Sequence, residues 1–100
     1  MISLQQKVTI SSEVLSQEVD GETVLLDLES ENYFGLDEVG TRIWQLLKDG
    51  NGLQTVFNTL LGEYDVEEKQ LEKDLQNHIA HLVEEGLISL ADPTSDDSKG

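Results

Sequence analysis

The order of residue patterns along the chain predicts an α+β fold in which a three-stranded antiparallel sheet is followed by three helices. Three observations predict it. Runs with a period of two fill the first quarter of the chain, the dipeptide Asp20-Gly21 separates two of them, and spacings of three and four take over after Asp37.

The strands come first. "KVTI" (7–10), "EVLSQEV" (13–19) and "ETVLLDL" (22–28) alternate in character, and Asp-Gly is the pair that a two-residue type I′ hairpin favours. Counting outward from that turn pairs Val19 with Glu22, Gln17 with Val24 and Leu15 with Leu26. Leu15, Val24, Leu26 and Leu28 then share one face, which is expected to meet the helices. Ser16, Glu18, Thr23, Leu25 and Asp27 share the other, expected to be wet apart from Leu25. In a meander of these three runs the third is left with one open edge.

Asp37 is placed to cap the first helix, whose stripe is Val39, Ile43, Leu46 and Leu47 and whose stop is Asp49-Gly50. Gly40 inside it costs about 1 kcal/mol relative to alanine, so either a neighbour packs close or the residue is neutral. The second helix carries Leu53, Val56, Phe57, Leu60, Leu61 and Tyr64 on one stripe. The third opens at Asp65 and Glu68 as a variant capping box and runs through Leu71, Leu75, Ile79, Leu82 and Val83 to a stop at Gly86. "LISL" reads as a short closing strand or extended segment, ending a domain over 1–90, and 91–100 as a disordered acidic tail. Strands and helices of this size resemble a winged helix-turn-helix-like domain.

Charge restricts what such a domain can do. The chain carries 21 acidic and 6 basic side chains, a formal net charge of −15. Nucleic acid and anionic membranes would repel it, and a neutral or cationic partner is expected. A DNA-binding regulator is the rival reading of the architecture. Yet Val66 to Gly86, where a recognition helix would lie, has two basic residues against six acidic ones. The absence of cysteine removes disulfides, thiolate nucleophiles and zinc-thiolate or iron–sulfur sites. No signal peptide or apolar run long enough to cross a bilayer is present, so a cytoplasmic location is expected. His78 and His81, with Asp74 and Glu85 one turn away, have the spacing of a metal pair. But His78 lies on the apolar stripe and His81 off it, which favours one groove or core histidine and one solvated one. No nucleophile–base pair, phosphate loop or cofactor motif is evident, so neither an enzyme nor a bound cofactor is expected.

What remains is the edge of the third strand. It contains Val-Leu-Leu and none of the proline or lysine that usually blunts an edge, which suits an extended guest added by β-augmentation. The third helix offers Leu71, Leu75, His78, Ile79 and Leu82 as the wall beside it. The same open edge also allows self-association.

The stretch "LLDLESENYFGLDEVGTRIWQLL", followed by "DG", "EYDVEEKQLEKDL" and "HLVEEGLI", resembles the PqqD-like family, the RiPP recognition elements, from about Val8 to Leu90. The resemblance implies a non-catalytic domain that binds the leader of a ribosomally made precursor peptide between the third strand and third helix and presents it to maturation enzymes. On this chain that groove would be Thr23, Val24, Leu25, Leu26, Asp27 and Leu28 on the strand, with Leu71, Asp74, Leu75, His78, Ile79 and Leu82 on the helix. Tyr33, Phe34 and Leu36 would plug the gap between sheet and helices, with Trp44 packed beneath. The free-standing form with "YFGLDEVGTRIW" is most similar to leader-binding proteins of lasso peptide pathways. There the implied partners are a leader peptidase of the cysteine-protease type and a cyclase. The alternative is a peptide carrier of a pyrroloquinoline-quinone-type radical-enzyme pathway.

Overall fold

Asp20 and Gly21 both take positive φ, 54° and 83°, the pair of left-handed residues that defines a type I′ turn. In the computed structural model, which describes residues 2–91, this turn joins β2 (Val14–Val19) to β3 (Glu22–Asp27) in the expected register, Val19 opposite Glu22 and Leu15 opposite Leu26. The sheet then continues in a way the sequence pattern does not announce. The chain turns over residues 28–31 and returns as β4 (Asn32–Leu36), pairing Leu25 with Phe34 and Thr23 with Leu36.

The three-stranded sheet therefore has the order β2-β3-β4, and "KVTI" is not part of it. That run is β1 (Lys7–Ile10), and it pairs antiparallel with the closing strand β5 (Ile88–Ala91), from Lys7 opposite Ala91 to Ile10 opposite Ile88. Ala91 thus belongs to a strand, and the rest of the tail expected from 91 lies outside the described residues. With β3 in the middle, both of its edges are occupied. The open edge expected along Thr23 to Leu28 does not exist there; it belongs to β4.

The turn that permits this is held by its own polar groups. Glu31 adopts a positive φ of 65°. The Asp27 carboxylate accepts from the Glu29 N–H at 3.2 Å and the Ser30 hydroxyl at 2.9 Å, and its carbonyl accepts from the Glu31 N–H at 2.6 Å. Asp27 is buried, 7% exposed, with its acceptors satisfied.

The helices are α1 (Glu38–Lys48), α2 (Leu53–Glu63) and α3 (Glu68–Glu84). Asp37 caps α1 as expected, accepting from the Gly40 N–H at 2.8 Å. Gly50 (φ 90°) follows α1, and Gly86 (φ 78°) ends α3 in a Schellman turn with Gly86 N–H to Val83 O and Leu87 N–H to Leu82 O, both 3.0 Å. The capping box at Asp65 and Glu68 does not form; α3 starts after Glu67 with no side-chain cap. Leu53, Val56, Phe57 and Leu60 bury the stripe of α2, and with Trp44, Leu75, Ile79 and Leu82 they make the core.

Helix α1 packs on β3, on the face carrying Thr23, Leu25 and Asp27, all buried, with Leu25 fully so. The expected faces are inverted: Leu15, Val24, Leu26 and Leu28 point away from the helices. Among the described residues no helix is long and apolar enough to cross a membrane.

Candidate functional site

Which backbone groups of β4 are free follows from one hydrogen bond. The Leu28 N–H donates to the Glu13 carbonyl at 2.8 Å, so the even-numbered residues of β3 face β2. Partners in an antiparallel pair alternate, so Thr23, Leu25 and Asp27 turn toward β4 and occupy the N–H and C=O groups of Leu36, Phe34 and Asn32. Tyr33 and Gly35 point their backbone groups the other way, off the sheet. Among the described residues no turn, loop or cap hydrogen bond uses them. A Cβ added at Gly35 would meet nothing within 4 Å.

That edge looks onto α3 across an open cleft of about 500 Å³. Phe34, Gly35 and Leu36 line its strand side, and His78, His81 and Leu82 its helix side. Leu87, turned inward by the Schellman turn, closes one end. A second recess of about 300 Å³ lies between the start of α1 (Val39, Gly40, Ile43) and the first half of α3 (Leu71, Asp74, Leu75). Asp37 and His78 line both spaces, so the two form one groove that passes the His78 ring.

His78 stands where the two spaces meet. Its Nε2 is buried and has no hydrogen-bond partner among the described residues. Burial lowers its pKa, partly opposed by the Asp37 carboxylate and reinforced by His81, so the ring is neutral near pH 7. Gly40 makes room for it: a Cβ there would stand 3.3 Å from His78 Cε1 and 3.2 Å from Asp37 Oδ1. A close neighbour is thus the reason for a glycine inside α1. His81 is exposed, and among the described residues no group of three or more His, Asp or Glu is arranged to hold a metal ion.

The helix half of the expected site falls where the sequence put it, and the strand half does not. Leu71, Asp74, Leu75, His78 and Leu82 line the groove, whereas Ile79, 0% exposed, is pure core. Thr23 to Leu28 line neither space. Thr23, Leu25 and Asp27 are buried under α1, and Val24, Leu26 and Leu28 lie on the far side of the sheet, because the groove is one strand further out. Sequence reasoning missed Tyr33 and Gly35 as its strand wall. Tyr33 is not a plug; it is 72% exposed. A signal was present in "NYFGL", where Phe34 and Leu36 alternate inward between two outward positions.

Comparison with known proteins identifies the fold. The family model of Coenzyme PQQ synthesis protein D (PqqD) matches residues 22–88. The chain belongs to the PqqD family. Two solved structures share its fold. "TbiB1 in Complex with the TbiA(beta) Leader Peptide" is 39% identical with a TM-score of 0.78, covering 80% of this chain and 93% of that one. "Lasso peptide synthetase B1 complexed with the leader peptide" is 30% identical with a TM-score of 0.76, covering 83% and 98%. No curated protein sequence matches this PqqD-family chain.

Proposed function

We propose that this protein binds the leader of a ribosomally made precursor peptide of the lasso type, as a fourth strand on the outer edge of β4. It performs no chemistry itself and delivers the precursor to a leader peptidase of the cysteine-protease type and to a cyclase. The observation that carries this reading is the outward-facing backbone of Tyr33 and Gly35 beside a groove walled by α3. The likeness to two proteins solved with leader peptides supports it.

Energetics say what the leader must bring. Tyr33 and Gly35 offer two N–H and two C=O groups, worth about 4 kcal/mol at ~1 kcal/mol each. Ordering a flexible peptide takes back about 2–5 kcal/mol. Micromolar affinity needs roughly −8 kcal/mol, so about three large apolar side chains, at about 1.5–3 kcal/mol each, have to be buried. The space beside Leu82 and Leu87 and the recess beside Leu71 and Leu75 are the places for them, with His78 between.

Titration of the isotope-labelled protein with the synthetic leader of its pathway tests the assignment. Amide shifts are expected along Asn32–Leu36 and from Asp74 to Leu82. Shifts centred on β2 would overturn the groove, and no binding at all would overturn the function. The family description keeps a second reading in view, a carrier of the pyrroloquinoline quinone pathway. Binding of that pathway's precursor in place of a lasso leader would favour it.

A further inference from the structure

An antiparallel sheet with one face on the core ordinarily turns a polar face to water. Here the outward face of β2-β3-β4 is apolar as well. Leu15 is 54% exposed, Val24 40%, Leu28 46% and Tyr33 72%. The register joins Leu15, Leu26 and Tyr33 in one row across the three strands, with Gln17, Val24 and Gly35 in the next. Leu15, Val24, Leu26 and Tyr33 line an open hollow of about 440 Å³ on this face. A contiguous patch of this kind marks an interaction site.

Several occupants can be set aside. Residues 92–100 contain three aspartates and no large apolar side chain to cover the patch. A bound leader lies beside β4, so Leu15, two strand spacings or about 10 Å further in, stays uncovered. A second copy would bring like charge against like charge, because between Lys7 and Arg42 the chain has no basic residue and nine acidic ones. By register Glu22 stands at one end of the patch and Glu13, beside Leu28, at the other.

We propose that this outer face, centred on Val24 and Leu26, is the docking surface for the enzyme that processes the carried peptide, which meets it with an apolar patch rimmed by basic residues. The proposal rests on the leader-binding reading. Two things favour the enzyme over other partners. The acidic border calls for a cationic surface, and Tyr33 belongs to both the patch and the groove, so a leader strand added at β4 extends this same face. An enzyme seated there is brought next to its substrate.

The test measures two affinities on the same variants, for the synthetic leader and for the pathway's leader peptidase with leader present. Leu15→Asp and Val24→Asp, with Leu15→Ser and Val24→Ser as milder partners, are expected to bind leader within twofold of the parent. They should bind the peptidase at least tenfold more weakly. Glu13→Lys with Glu22→Lys should weaken the peptidase further and flatten its salt dependence. Unchanged melting temperatures guard against unfolding. Peptidase affinity equal to the parent's in folded variants, or no peptidase binding by the leader-loaded parent, would overturn the proposal. If the parent fails to bind leader, the underlying function falls and this surface's role with it.

Discussion

The two faces of the β2-β3-β4 sheet both carry large apolar side chains, yet only one of them lies under the helices. The inner face carries four apolar side chains, Val14, Leu25, Phe34 and Leu36, among Ser16, Glu18, Thr23, Asp27 and Asn32. The outer face carries Leu15, Val24, Leu26, Leu28 and Tyr33. The inner face is tolerable because its polar groups find partners at the border. The Gln45 side chain donates to Glu18, Lys48 donates to Ser16 at 3.4 Å, and the Asp27 carboxylate is used by its own turn. A sheet buries the face that its connections bring under the helices, here by way of Asp37 and α1. Apolar content does not decide it alone. An oily face left in water is then a feature that function has to explain.

Substitutions on the two faces should differ in cost. Leu25→Ala, at a site with 0% exposure, should lower unfolding free energy by about 2–5 kcal/mol. Its neighbour Val24→Ala, 40% exposed, should cost under about 1 kcal/mol. Urea denaturation of both reads this directly, and equal losses would mean that the faces are assigned the wrong way round.

Next in size is an effect on the edge. Gly35→Pro removes an outward N–H without touching the ladder to β3, since proline is tolerated on an edge strand in that orientation. Leader affinity should fall about tenfold, from one hydrogen bond lost and some crowding of the guest strand. The melting temperature should change little. A large drop in stability would show that the Gly35 N–H is paired inward.

The smallest effect is on pH dependence. His78 has a folded pKa below its ordinary value because of burial, so its contribution to stability is fully present above about pH 6.5. It is lost as pH falls through the folded value, because protonation then favours the unfolded chain. His78→Asn should flatten that part of the stability profile, measured by urea midpoints between pH 7.5 and about 5. An unchanged slope would mean the ring is more solvated than its position implies.

Much of this was legible beforehand. Asp20-Gly21 announced the hairpin and its register, the stripe of α2 and the apolar positions of α3 are where their periods put them, the stripe of α1 is too, apart from Val39, which is 40% exposed, and the resemblance to PqqD-like proteins named the family. β4 was not legible. Its turn depends on Glu31 in a left-handed conformation that glutamate seldom adopts, and its five residues contain an asparagine and a glycine, which read as loop. Missing it moved the edge by one strand and turned Thr23 to Leu28 from the centre of the sheet into its supposed margin. The inverted faces have the same origin. Alternation fixes which side chains point together but not which side the helices will take.

The pairing of β1 with β5 sets where anything attached to this domain would emerge. Lys7 stands opposite Ala91, so whatever precedes the first strand and follows the last departs from one shared corner. The other end of that ladder, Ile10 opposite Ile88, adjoins Leu87 at the groove, three residue steps or roughly 10 Å away. The ladder end formed by Lys7 and Ala91 is therefore the one that stands clear of the proposed peptide groove.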